Sequence, residues 1–138
     1  MTATAHLHTQ ASTQIVRFQG GGLRFLDTHG FQVVTRPFQA SDATQHWKVI
    51  GHDRDGCTIQ QVSSGRFLAA AIDADFAVTT VCLSSDAQRW RIGDFGGGFT
   101  TIQHVDSGRF LEATVFGDFV VVTRPAGSSE QVWRIGDP

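Results

Sequence analysis

One tripeptide pattern, Gln-x-Trp, occurs three times in this chain at equal spacing. It stands at residues 45–47, 88–90 and 131–133, so that each Trp lies 43 residues after the one before it. All three Trp residues of the chain belong to this pattern. Repeats of this length are typical of architectures in which each unit completes the core of its neighbours. The sequence therefore predicts one domain built from three similar units.

Two further markers recur with nearly the same period. Arg-Phe-Leu stands at residues 24–26, 66–68 and 109–111. A Phe precedes a Thr by four residues at 31–35, 76–80 and 119–123. Together the markers place the repeats at about 14–56, 57–97 and 98–138. The segment 1–13 before them is polar, and we expect it to be flexible.

The segments between these markers have the composition of short β-strands. Residues 33–35, 99–102 and 119–123 are rich in β-branched and aromatic side chains, and Gly, Pro, Asp or Ser bound such segments. This pattern predicts an all-β domain with about four strands in each repeat. Because side chains at i and i+2 of a strand share a face, the Gln and Trp of each tripeptide point the same way. We expect the indole to fill the core and the Gln amide to bond nearby backbone.

Composition excludes several classes of partner. The net charge is −2 and the charges are interspersed, which argues against nucleic acid as a partner. No run approaches 18 apolar residues and the N-terminus lacks the pattern of a signal peptide, so we expect no membrane insertion and a cytoplasmic protein, with non-classical export left open. Cys57 and Cys82 are too few for a disulfide framework and, because both stand in apolar, strand-like segments, are expected to be buried free thiols. The scattered His residues predict no metal site, and no cofactor is expected.

The three Gln-x-Trp tripeptides and the Arg-Phe-Leu elements resemble those of the ricin B-type β-trefoil family, which is lectin-like. The resemblance covers the chain from about Gln14 onward. It implies a β-trefoil of twelve strands in three pseudo-symmetric repeats, with six strands closing a short barrel and three hairpins capping it. It also implies one shallow pocket in each repeat, which in the lectins holds a sugar.

The resemblance points to one position of each repeat as a ligand contact. Galactose-binding members of the family carry an Asp directly after the Phe-Leu pair, where it accepts hydrogen bonds from two sugar hydroxyls. The equivalent residues here are Asp27, Ala69 and Glu112. Asp27 matches the family residue and is the best single candidate. His29 follows two residues later and is expected to share its face of the strand.

The other family positions match less well. The family places an Asn before each Gln-x-Trp, and this chain has Thr44, Ala87 and Glu130 there. Sugar rings usually stack on a Trp or Tyr, but this chain has no Tyr and its Trp residues are assigned to the core. Four further candidates remain: Phe38 and Phe116 as aromatic platforms, and Asp75 and Asp118 before the Phe of repeats two and three.

These observations favour a non-catalytic carbohydrate-binding module with degenerate, non-equivalent sites. Its partner would be a glycan or glycoconjugate, and it would act as a monomer or weak homodimer. Two alternatives stay open. One is a protein-binding trefoil of the inhibitor or cytoskeletal kind, which the missing aromatic platforms favour. The other is a small-molecule enzyme, because Ala69–Ala71 and the Phe-rich third repeat could line an apolar pocket. No nucleophile elbow, phosphate-binding loop or zinc-ligand spacing supports catalysis.

Overall fold

The computed structural model describes residues 13–41, 43–51, 56–71, 76–82, 88–115 and 117–138. These residues form the strands β1 Thr13–Gln19, β2 Arg24–His29, β3 Gln32–Pro37, β4 Trp47–Gly51, β5 Cys57–Gln61, β6 Phe67–Ala70, β7 Val78–Val81, β8 Trp90–Gly96, β9 Phe99–His104, β10 Phe110–Ala113, β11 Val121–Arg124 and β12 Arg134–Gly136. Single 3-10 turns span Gly21–Leu23, Ala43–Gln45 and Ser129–Gln131. The all-β prediction is confirmed. Of the segment expected to be flexible, 1–12 lies outside the described residues and Thr13 begins β1.

Antiparallel pairing of six strands forms a closed ring. Strand β1 pairs with β4 and with β12, β4 with β5, β5 with β8, and β8 with β9. The backbones of Thr100 and Trp133 exchange two hydrogen bonds of 2.7 and 2.8 Å and so join β9 to the residue preceding β12. The hairpins β2–β3, β6–β7 and β10–β11 lie outside this ring. The ring encloses the core, and the hairpins carry most of the candidate ligand residues.

The three Trp side chains lie at the centre of the core. Each is fully buried. Each indole Nε1 donates a hydrogen bond of 3.0 to 3.1 Å to the carbonyl of the Leu in its own Arg-Phe-Leu element, and these acceptors are Leu26, Leu68 and Leu111. The three Leu side chains are also fully buried. The core role expected for the three Trp residues and for these Leu residues is therefore confirmed.

The other two sequence markers join the three hairpins to one another. The guanidinium groups of Arg24, Arg66 and Arg109 stack 3.5 to 3.9 Å from the ring centroids of Phe119, Phe31 and Phe76, each in a different repeat. Each Arg Nε also donates to the Thr hydroxyl of its own repeat at 3.1 Å. The N–H of that Thr donates to the carbonyl of the stacked Phe. Cation–π contacts and backbone bonds thus close a three-membered cycle between the repeats.

The turn before each stacked Phe needs a left-handed backbone. In repeat one Gly30 supplies it with φ of 63°, whereas in repeat three Asp118 and Phe119 adopt φ of 63° and 65°. Asp is among the non-Gly residues that accept this conformation most readily, but Phe is not. The Arg24 stack and the Thr35 N–H bond hold Phe119 in place. This packing places Asp118 against the hairpin of repeat one.

Candidate functional site

Asp27, the strongest candidate from the sequence, is buried and its two oxygens are occupied. The residue lies within β2 and is 1% exposed. Oδ1 accepts the N–H of Thr28 at 2.7 Å, and Oδ2 accepts the Gln45 amide at 3.1 Å. His29, expected to share a strand face with Asp27, is exposed and hydrogen-bonds Arg36, whereas Asp27 is buried. A ligand would have to compete with Gln45 to reach Asp27.

Arg17 is a buried cation that the sequence reasoning did not single out. It is 3% exposed, and its Nη1 donates to the Gln45 Oε1 at 2.7 Å. Nη2 donates to the carbonyls of Gln39 and Ala40. Its Nε has no hydrogen-bond partner within the described residues. The signal was present in the sequence: an Arg stands within an apolar strand, next to the fully buried Phe18.

Arg17 and Phe38 together fill the space beside Gln45 in repeat one. The Arg17 guanidinium lies 4.6 Å from the centroid of the Phe38 ring. That ring meets Phe25 edge-on at 5.6 Å between centroids. Phe38, predicted as a platform for a sugar, is 55% exposed. The Arg17 guanidinium already stacks on its ring, so a sugar would share that ring with an internal cation.

Repeat three has the same Gln–acid contact as repeat one, but its acid also forms an ion pair. The Gln131 amide donates to Glu112 Oε1 at 3.1 Å and to the carbonyl of Pro125 at 2.7 Å, as Gln45 does to Asp27 and Pro37. Glu112 is longer than Asp27 by one methylene. Its second oxygen accepts from Arg124 Nε at 2.8 Å. The Arg124 side chain is 53% exposed and the Glu112 side chain 11%, so solvent reaches the arginine end of this ion pair. The Asp27–Gln45 pair has no such exposed partner.

An apolar cavity of about 540 Å³ lies beside Gln131. It exists because small residues replace the two that fill repeat one: Thr101 stands in the strand position of Arg17, and Ala126 in the position of Phe38. The lining includes Phe95, Phe110 and Val132. Phe95, 62% exposed, also lines a neighbouring cavity of about 560 Å³ together with Leu23 and Phe99.

A smaller, polar pocket of about 290 Å³ lies between the hairpin of repeat one and the turn of repeat three. It brings together two of the predicted ligand residues, His29 and Asp118, although they are far apart in the sequence. Its other lining residues are Arg24, Gln32, Val34, Thr35, Arg36 and Gly117. Arg36 Nη2 lies 3.2 Å from His29 Nδ1. The sequence did not show that these two repeats share a pocket.

Asp75 and Phe116, which the sequence also named as ligand residues, lie outside the described residues. In repeat two the residue equivalent to Asp27 is Ala69, which is buried. No group of three His, Cys, Asp or Glu side chains that could hold a metal ion occurs in the described part of the chain. Nor is there, among those same residues, a helix both long and apolar enough to span a membrane.

The two thiols differ in environment, and labelling of the native protein should show this. Burial raises the pKa of the Cys57 thiol to about 11, with nearby Arg89 opposing the shift. The prediction that Cys82 is buried is wrong: it follows the last residue of β7 and is exposed. Because the thiolate is the reactive form, Cys57 should remain unlabelled by a thiol reagent at pH 8. We expect one thiol to react in the native protein and two after denaturation. Fast reaction of both thiols in the native protein would contradict the burial of Cys57.

The raised pKa of Cys57 also links stability to pH. The folded state favours the protonated thiol, so its contribution to stability is fully present below the pKa of the unfolded thiol. That contribution is lost as the pH rises from there toward 11. A Cys57→Ser variant titrated in parallel separates this contribution from that of other groups.

Comparison with known proteins supports the architecture. A family model described as "Ricin-type beta-trefoil lectin domain-like" matches residues 43–118, more than half of the chain. Comparison with curated proteins gave no significant match.

Among solved structures, the designed three-fold symmetric protein ThreeFoil aligns with a TM-score of 0.80 at 19% identity, covering 90% of this chain and 99% of that one. The ricin B-like lectin of Macrolepiota procera in complex with lactose aligns with a TM-score of 0.77 at 18% identity, covering 91% and 96%. The Rhizoctonia solani agglutinin gives 0.75 at 15% identity, covering 92% and 96%. At these identities the likeness shows the fold alone. Because the family model matches more than half of the chain, this protein belongs to the ricin-type β-trefoil lectin domain-like family.

Proposed function

We propose that this protein is a non-catalytic carbohydrate-binding module with three pseudo-symmetric, four-stranded repeats whose sites are not equivalent, and that repeat three holds the accessible site. The Gln–acid pair that carries this proposal occurs twice, at Gln45 with Asp27 and at Gln131 with Glu112. Ala69 removes the acid from repeat two. The family match supports a glycan as partner, as do relatives of the same fold solved with lactose and with an asialo-GM1 saccharide.

Repeat three is favoured because its Gln–acid pair is joined to the exposed Arg124, although Glu112 itself is 8% exposed. Glu112 is held by Gln131 and Arg124, and the exposed Arg124 guanidinium keeps further N–H groups for sugar hydroxyls. Glu130 is exposed at the position where the family carries an Asn. A hydrogen bond from Ser128 lowers the pKa of the Glu130 carboxyl, which keeps it an ionised acceptor. Donors beside acceptors suit the vicinal hydroxyls of a sugar.

A glycan array with the full chain tests this proposal. Glu112→Gln keeps the size of the side chain but removes the charge, so we expect it to weaken glycan binding by about tenfold or more, the worth of a charge-assisted hydrogen bond. The matched change in repeat one, Asp27→Asn, should leave binding unchanged. Denaturation midpoints of both variants establish that they are folded.

Two outcomes would contradict the proposal. A wild-type protein that binds no glycan at high concentration would remove the carbohydrate function. Binding that survives Glu112→Gln but is lost in folded Asp27→Asn would move the site to repeat one.

A small-molecule ligand is the second candidate, and the cavity of about 540 Å³ is the observation that favours it. Its volume and its apolar lining are typical of small-molecule sites. Ala126→Phe should fill this cavity, because Phe38 fills the equivalent space in repeat one. If the glycan array shows no binding, a fluorescent naphthalene probe that binds the wild type but not Ala126→Phe would support a small-molecule ligand.

A further inference from the structure

The polar pocket between repeats one and three carries an unbalanced positive charge. Among the described residues that line it, Arg24 and Arg36 are cations and Asp118 is the single carboxylate. His29 lies beside Arg36, with its Nδ1 3.2 Å from a guanidinium nitrogen, and an imidazole cannot add a negative charge here. The described lining therefore has a net charge of at least +1. The pocket is therefore set up electrostatically for an anion.

A matched position in repeat three shows why Arg36 has no carboxylate partner among the described residues. Arg36 and Arg124 occupy the same place in the two Val-Val-Thr-Arg-Pro segments. Arg124 forms an ion pair with Glu112 at 2.8 Å. The carboxylate available to Arg36 would be Asp27, but that side chain is shorter and bonds Thr28 and Gln45. Within the described residues, Arg36 has His29 as its hydrogen-bond partner and no carboxylate.

The other cation, Arg24, is held rigidly. Its Nε and Nη2 donate to the hydroxyl and the carbonyl of Thr35. Its guanidinium carbon lies 3.5 Å from the centroid of the Phe119 ring. It adds a fixed positive field to the pocket without any need to move. Preorganised charge of this kind lowers the entropic cost of binding.

The remaining polar groups select among anions. Asp118 accepts hydrogen bonds from hydroxyls but repels a second negative charge. A phosphate monoester carries between about −1.5 and −2 near neutral pH, whereas a carboxylate or a sulfate ester carries one charge. Gln32 supplies an amide that can both donate and accept. This combination suits a singly charged group on a polyhydroxylated ring better than a phosphate.

We propose that this pocket binds the carboxylate or sulfate of an acidic glycan, with Arg36 as the principal contact and His29, Gln32 and Asp118 bonding the sugar. The pocket gives the chain a second, anion-selective site besides Glu112 and Arg124. This inference rests on the proposed carbohydrate function and names the class of glycan.

Matched glycan pairs test it by calorimetric titration of the full chain. Sialyllactose is compared with lactose, and a 6-sulfated galactoside with its unsulfated parent, so that carboxylate and sulfate are separate arms. We expect the wild type to bind at least one acidic member about tenfold more tightly than its neutral parent, because a charge-assisted pair is worth that much. Arg36→Gln should abolish this preference, so that the acidic and the neutral member of each pair bind the variant equally. Arg91→Gln, an exposed arginine outside the pocket, should retain the preference.

The result that overturns the inference differs from the one that overturns the glycan function. Equal binding of acidic and neutral members, or a preference that survives Arg36→Gln, removes the anion site while leaving the carbohydrate function in place. If no oligosaccharide binds, free sialic acid and free sulfate still test the pocket, through the NMR signals of the His29 ring. Shifts in the wild type that are absent from Arg36→Gln support the pocket; no shifts in the wild type contradict it.

Discussion

Trp90→Ala should lower the free energy of unfolding by about 3 to 5 kcal/mol, the cost of removing a large aromatic side chain from a packed core. Trp90 is fully buried, its Nε1 bonds the carbonyl of Leu68 at 3.1 Å, and its ring lies 5.2 Å from that of His104. Native domains are stable by only about 5 to 15 kcal/mol, so the loss is a large part of the total. Urea denaturation followed by circular dichroism measures it.

Two further variants show where that cost arises. Trp90→Phe retains much of the ring volume but removes the Nε1 donor, so its effect should be smaller than that of Trp90→Ala. Arg91→Ala alters the next residue, which is exposed, and should leave the free energy of unfolding within about 0.5 kcal/mol of that of the wild type. If Trp90→Ala had the same free energy of unfolding as Arg91→Ala, the core assignment would be refuted.

Gln45→Ala should destabilise the protein by about 3 kcal/mol, because it leaves two buried charged groups without a shared partner. The Gln45 amide bonds Asp27 and the carbonyl of Pro37 through Nε2, and Arg17 and the N–H of Gln39 through Oε1. Asp27 and Arg17 are both at least 97% buried, so water cannot readily replace these bonds. The free energy of unfolding in urea is again the measured quantity.

The matched change in repeat three is Gln131→Ala. Its cost should be smaller, since Glu112 would keep its ion pair with the half-exposed Arg124 and solvent reaches that pair. The difference between the two variants thus measures what burial adds to the same Gln–acid contact. Equal costs, or a larger cost in repeat three, would contradict the proposed role of Arg17 and Asp27.

The fold was largely predictable because its signals are local and repeated three times. Each Gln-x-Trp tripeptide specifies a buried indole, and each short β-branched segment specifies a strand. The Arg-Phe-Leu and Phe–Thr markers were visible in the sequence, but their meaning was not. These markers contact each other across repeats. Arg24, for example, stacks on Phe119 of repeat three rather than on a Phe of its own repeat.

The candidate sites were less predictable because burial and charge pairing depend on residues distant in sequence. Asp27 matches the family position, yet Gln45 and Thr28 occupy its oxygens. The spacing of β2 suggested that His29 would join Asp27, but the structure places it with Asp118 in a pocket between repeats. The apolar cavity of repeat three depends on two small residues whose counterparts, Arg17 and Phe38, fill repeat one.

The sequence by itself determined the all-β character, the three-fold period and the Trp core, since these follow from side-chain periodicity within each repeat. Tertiary structure alone decided which polar residues are accessible. Arg36 and Arg124 stand in identical pentapeptides, yet one contacts His29 and the other a carboxylate. The physical reason is that a charge is neutralised by whatever group packing brings within about 4 Å, and one methylene of difference between Asp27 and Glu112 changes that group.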